Sequence, residues 1–344
     1  MSNELKDRQE AHRDAILIRA GARKLNFPGM HPEAAGLLDR GENLLKGLAL
    51  ACGLPVARGA SSPGAVLARG LTSSDFKAAL SSIVKVVSVR ALADHAGHRQ
   101  FCKTIELQDF KSREFPSVDA DFAFIEAGEM AEFPFGLAAS TNGGLSAGVR
   151  TFGRNVQISR EVLINDDVGL ITGLFANAGA SASRLEADAA YGLLESNPVL
   201  GDGQPMFDAA FENIEASALD ESSLAAAIGK LRTARTPAGS LANHAAAFLI
   251  VAPGLELSAR KMVHQCSLNL GVIATAWLPS GRWYLSADPA LAACLGLLHL
   301  RGSAGGLLIG PRAERTEFEG ASIGVRFDFG VVPLGRVGIV RGGL

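Results

Sequence analysis

Between Asn165 and Asn197 apolar residues recur at alternating steps of three and four: Val168, Ile171, Phe175, Ala178, Ala182, Leu185, Ala189 and Leu193. Asn177, Ser181, Arg184 and Asp188 fall on other faces. The pattern predicts one long helix with a single buried stripe. Asn165 as N-cap, Asp166 and Asp167 in the first turn and Pro198 beyond the end set its limits. At 1.5 Å per residue this is a rod of about 45 Å. Its middle, Ala176 to Ser183, consists of Gly, Ala, Ser and Asn, which have little bulk, so a neighbouring element is expected to approach closely there.

Two helices are expected before residue 60, Glu4 to Ala20 and Pro32 to Ala51, with too few large apolar residues to form a core alone. Gly53 to Thr72 is rich in Gly, Pro, Ser and Ala and reads as an extended arm. Asp75 then opens an amphipathic helix to about Ala96, with Phe76, Leu80, Ile83, Val87 and Leu92 on one stripe. Lys103 to Phe115 is extended, and Asp119 to Arg160 reads as a long β-hairpin. Its return limb alternates Phe152, Val156 and Ile158 with Thr151, Asn155, Gln157 and Ser159, and its tip is expected at Ala138 to Gly148. A ribbon of this kind is marginal by itself, so its partner surface is expected on another chain. Downstream, Asp220 caps a helix to Ala234, Phe248 to Val251 suits a strand covered on both faces, and Gly254 to Cys266 is a helix, together a small α/β layer. Trp283 to Leu285 forms a strand, Leu291 to Leu300 is apolar without a clear period, and Ile323, Val325, Phe327 and Phe329 mark a half-buried strand. The fold class is α+β.

Composition and motifs narrow the function. With 344 residues and 48% hydrophobic content the chain can bury a large core, and a net charge of -2 argues against a surface devoted to phosphate or anionic lipid. The N-terminal stretch mixes charges with its apolar residues, as neither a secretory signal nor a membrane anchor does. Cys52, Cys102, Cys266 and Cys294 form no C-x-x-C pair; reduced thiols of a cytoplasmic protein are the simple reading, and bonds between subunits the sharper one. Gly144 to Gly148 matches G-x-S-x-G around Ser146, but it leads into a period-two segment instead of the helix that a nucleophile elbow needs. A hydrolase using Ser146 is therefore a weak third reading. His95 and His98 share helical spacing without further ligands and read as surface histidines. Asp166 with Asp167 suits a helix start, and Glu129 with Glu132 a solvated ribbon edge. No catalytic, cofactor-binding or metal residue is expected.

The stretches LTSSDFKAALSSIV (71–84), NVQISREVLINDDVG (155–169), YGLLESNPVLGDGQPMF (191–207), FLIVAPGLELSARKM (248–262), WYLSADP (283–289) and GVRFDFG (324–330) occur in the order found in a known family. Over about residues 70 to 344 the chain resembles the major capsid protein of tailed bacteriophages, the Hong Kong 97-type fold, and within it the Mu-like major head subunit group, often encoded with a prohead protease. The resemblance implies an N-terminal arm with scaffold-like helices (1–74), an arm helix and the start of the peripheral domain (75–118), an extended loop (119–160), a spine helix (161–197), an axial domain (198–280) and return strands (281–344). It implies self-assembly into hexamers and pentamers of an icosahedral shell around double-stranded DNA held non-specifically, in a virion assembled in the bacterial host cytoplasm. Portal, prohead protease or scaffold, and decoration proteins would be partners, with no membrane and no cofactor. Expected assembly contacts are Phe124, Phe133, Phe135, Phe152, Arg154, Trp283, Tyr284 and Asp288, with Cys52, Cys102, Cys266 and Cys294 as inter-subunit thiols. Some family members weld subunits through a lysine on the extended loop, and Asp119 to Arg160 holds no lysine, which argues against such a mesh. An encapsulin-like nanocompartment is the alternative within the same fold.

Overall fold

A computed structural model describes residues 3–24, 27–39, 44, 47–48, 52, 74–115, 118–120, 138–140, 145–159, 161–162, 168–236, 239–311 and 320–343. The helices are α1 (Asn3–Arg19), α2 (Ala34–Asp39), α3 (Ser74–His95), α4 (Val168–Glu195), α5 (Glu221–Thr233) and α6 (Glu256–Gln265). The strands are β1 (Lys103–Leu107), β2 (Arg113–Phe115), β3 (Val118–Ala120), β4 (Ala138–Ser140), β5 (Leu145–Ala147), β6 (Arg150–Ser159) and β7 (Ile214–Glu215). They continue with β8 (Ala246–Val251), β9 (Gly271–Ala274), β10 (Trp283–Ala287), β11 (Leu295–Leu300), β12 (Leu307–Pro311), β13 (Gly320–Pro333) and β14 (Ile339–Gly342). The chain divides into two units built from interleaved stretches: 1–95, 151–184 and 302–328 in the first, and 96–150, 185–301 and 329–344 in the second.

In the first unit one apolar cluster joins Ile16 and Leu17 of α1, Leu37 of α2, Leu44 and Leu48, Leu80, Ile83 and Val87 of α3, Ile171 and Phe175 of α4, Ile158 of β6 and Ile323 of β13. The N-terminal helices, too poor in bulky residues for a core of their own, complete this shared one. The close approach expected along the middle of the long helix is made by α3. Ser88 donates its hydroxyl to the Phe175 carbonyl at 2.8 Å, and a Cβ at Gly179 would stand 2.1 Å from the Ser88 carbonyl oxygen. Glycine is needed here because two backbones touch.

The predicted stripe of the long helix holds through its first half and then rotates away. Ile171, Phe175 and Ala182 are buried, but Leu185 is 36% exposed while Glu186, Ala187, Ala190, Tyr191 and Leu194 are buried. A strict three-four alternation averages 3.5 residues per turn against 3.6 for a straight helix, a drift of about 20° per heptad. At residue 185 the helix also passes from the first unit to the second.

The second unit is built on the sheet β7-β14-β10-β8-β9. β8 runs parallel to β9 and antiparallel to β10. Strand alternation sends Leu249, Val251, Trp283, Leu285 and Val340 to one face, against Leu224 and Leu231 of α5 and Ala259 and Val263 of α6. Ile250, Tyr284 and Ile339 face the other way, against Ala187, Ala190, Tyr191 and Leu194 of α4. The helix after Asp220 carries the expected cap: the Asp220 carboxylate accepts from the Ser223 N–H at 2.7 Å and the Ser223 hydroxyl accepts from the Asp220 N–H at 2.9 Å. The stretch Leu291 to Leu300 contains β11, paired in parallel with β1 and antiparallel with residues 329–333 of β13. Close packing reaches the last residues, since a Cβ at Gly342 would lie 2.0 Å from the indole of the fully buried Trp283. Gly342→Ala is expected to cost about 2–3 kcal/mol through overpacking, read as a lower urea midpoint with an unchanged slope.

The hairpin differs from its predicted register. β3 pairs with β4 through Val118↔Ser140 and Ala120↔Ala138, and β2 pairs with β5 through Arg113↔Ala147 and Phe115↔Leu145. Residues 138–140 and 145–147 are therefore return strands instead of a tip. The predicted return limb, β6, pairs with β13. Small residues such as Ala138 to Ser140 satisfy a turn and a narrow two-stranded ribbon equally well, and composition alone does not locate the reversal.

A buried charge cluster and candidate assembly surfaces

The second unit places four polar side chains together that no periodicity announced. The turn Gly97–Gln100 follows α3 and presents His98 and Arg99; β11 presents His299; α4 presents Glu186, which has no exposed surface. The Glu186 carboxylate accepts from His98 Nε2 at 2.9 Å, from Arg99 Nε at 2.7 Å and from His299 Nε2 at 2.5 Å. Burial alone would raise its pKa, yet the hydrogen bonds from His299 and His98 and the charge of Arg99 hold it far below the usual carboxylate range. The carboxylate stays ionised with its lone pairs occupied, which makes it a structural anchor for three chain segments.

His98 was expected at the surface and is instead 2% exposed within this cluster. His95, its expected companion, is exposed and bonds the Ala91 carbonyl at 2.8 Å. Because α3 ends at His95, helical spacing no longer applies to the pair.

Ser146 lies in β5 opposite Glu114 of β2, in a strand and not at a strand-to-helix turn. The glycine that completes its motif serves packing: a Cβ at Gly148 would stand 3.2 Å from the Ser112 hydroxyl, and the Gly148 carbonyl oxygen would lie 2.4 Å from a Cβ at Gly330. The surrounding residues thus explain the glycine without an oxyanion site.

Exposed apolar and charged side chains are found in both units. Phe152 and Arg154 occupy the exposed part of β6, where the face that carries Val156 and Ile158 into the core runs out of cover. One turn apart on α4, Leu170 is 55% exposed and Leu174 is 42% exposed. Asp288 is exposed and accepts from the Ala290 N–H at 2.8 Å, closing the turn after β10. Phe124, Phe133, Phe135, Glu129, Glu132, Asp166 and Asp167 lie outside the described residues.

Residues 144–342 match the phage capsid protein family. The chain belongs to that family. No curated relative matches the sequence. Among solved structures, the virus-like particle from Pyrococcus furiosus is similar at 12% identity and a TM-score of 0.47, over 76% of this chain and 97% of that one. The capsid of the cyanophage P-SCSP1u gives 11% identity and a TM-score of 0.47, over 72% and 87%. The holo-SrpI encapsulin complex from Synechococcus elongatus PCC 7942 gives 9% and 0.44, over 72% and 86%.

In this capsid protein two of the expected contact residues have another task. Trp283 and Tyr284 are 0% exposed. Trp283 donates Nε1–H to the Ser217 carbonyl at 3.3 Å, and Tyr284 donates its hydroxyl to Glu195 at 2.7 Å, so both rings are core residues with satisfied polar ends. The expected strand at Trp283 to Leu285 is β10, but its aromatic residues point into the two packed faces of the sheet, leaving no ring surface for a neighbour. Cys102, Cys266 and Cys294 are free thiols. Cys52, Cys102 and Cys294 are buried and Cys266 is half-buried. Burial and the charge of Glu186 push the Cys102 thiol well up, and burial pushes Cys294 to about 12. Of the four, Cys266 is the one with appreciable exposed surface.

Proposed function

We propose that this capsid protein forms the hexamers and pentamers of an icosahedral shell around double-stranded DNA, and that its hairpin lies over a neighbouring subunit. Membership of the phage capsid family carries the reading. The ribbon supports it: a two-stranded element gains little stability alone and seeks a covering surface. Residues 114–149 contain six carboxylates and no Lys or Arg, so the receiving surface should be basic and the contact should weaken with salt. Phe152, Arg154 and Asp288 are the exposed residues assigned to subunit contacts. α4 serves as the spine of a peripheral domain of the Hong Kong 97 type, and residues 198–280, with α5 and α6, build an axial domain. Within this reading the chain falls in the Mu-like major head group, with a portal, a prohead protease or scaffold and decoration proteins as partners. DNA contacts are weak and unspecific, since net charge is near zero.

Deleting residues 121–137 and joining Ala120 to Ala138 through a short turn tests the role of the hairpin. The expected result is a folded, soluble subunit by circular dichroism whose yield of closed shells falls at least about tenfold. Shells formed in equal yield and equally resistant to salt would remove the hairpin from the contact.

A further inference from the structure

Residues 3–52 need a seat, and α3 provides one. Ile16, Leu44 and Leu48 are at most 1% exposed and share a cluster with Leu80, Ile83 and Val87 of α3, none of which exceeds 4%. The segment is also organised internally. The Asp14 carboxylate, 2% exposed, accepts from the His31 N–H at 3.0 Å, and the backbone at Gly47 passes so near α1 that a Cβ would lie 2.0 Å from the His12 ring. By contrast, the sequence from Gly53 to Thr72 holds two valines and three leucines among Gly, Pro, Ser, Ala and two arginines, a composition poorly suited to a core.

We propose that the apolar face of α3 is a docking surface whose occupant is the chain's own segment 3–52, held by packing and not by the connecting backbone. Cutting the backbone between residues 52 and 74 therefore leaves the segment in place, and the face accepts the segment supplied as a separate peptide. In an assembly this makes the N-terminal helices a resident cover: processing in the connector does not strip α3 and expose its apolar face. The inference rests on the core of the first unit alone and is independent of the shell reading.

The test uses the full chain with a site-specific protease sequence inserted between Ser61 and Ser62. After complete cleavage the N-terminal fragment is expected to co-elute with the remainder on size-exclusion chromatography in native buffer, with more than roughly nine-tenths retained, and to separate in guanidinium. Ile83→Asp in the cut chain should release it, while Lys85→Asp, on the exposed face of α3, should not. A labelled peptide of residues 3–52, added in excess to the cut wild-type chain, should exchange into the complex. A fragment that leaves in native buffer, equal retention by the Ile83 and Lys85 variants, or no uptake of the peptide would each overturn the assignment.

Discussion

Replacing Glu186 with glutamine is expected to lower the stability of the second unit by about 3–5 kcal/mol. The amide keeps the volume of the side chain but removes the negative charge that faces the half-buried Arg99, and it offers one oxygen where the carboxylate offered two to His98, Arg99 and His299. The pH dependence follows from the depressed carboxyl. A group whose pKa is lower folded than unfolded contributes stability that is complete above its unfolded value and is lost as pH falls through the folded one. The gap between wild type and Glu186→Gln should therefore be constant from about pH 6 to 8 and begin to narrow only below about pH 4.3, the ordinary glutamate value. Urea melts of both proteins across that range measure it. A gap under about 1 kcal/mol at neutral pH, typical of a surface ion pair, would mean that the cluster does not anchor α4.

Gly179→Val should be similarly damaging in the first unit. Its Cβ would stand 2.1 Å from the Ser88 carbonyl oxygen and 2.9 Å from the Ser88 carbonyl carbon, and backbone in the middle of a helix cannot swing aside as a side chain can. α3 and α4 must part, which loses the Ser88 to Phe175 hydrogen bond and loosens the packing around Phe175. Overpacking and the lost hydrogen bond together cost about 3 kcal/mol or more. Ser88→Ala, which removes the hydroxyl and keeps the helices together, should cost about 1 kcal/mol. Chemical denaturation of the two variants separates the effects, and equal losses would place the importance of the site in the hydrogen bond instead of the close approach.

What the sequence made legible follows from the range of each signal. Helix limits at Asp220 and Pro198, the strands at Phe248 and Trp283 and the close approach around Gly179 rest on local chemistry, and the structure contains them. Long-range pairing carries no comparable mark. Nothing in Arg150 to Ser159 distinguishes pairing with the outgoing limb from pairing with β13, because alternation reports which residues share a face and not which strand lies alongside. Burial on both faces hid other features. Asp328 falls on the expected polar face of the strand around Phe327 yet is 2% exposed, and Tyr284 is enclosed because helices cover the sheet on either side. The charge cluster was the least legible part. Glu186 lies one step beyond the predicted stripe, and its partners come from positions 98, 99 and 299, which only the fold brings together.

The measurement that bears most directly on the shell is negative-stain electron microscopy of the purified chain after size-exclusion chromatography. Closed shells, tubes, or rings of six and five subunits are the predicted result. A monodisperse monomer or dimer, unchanged by concentration or crowding agents, would contradict it.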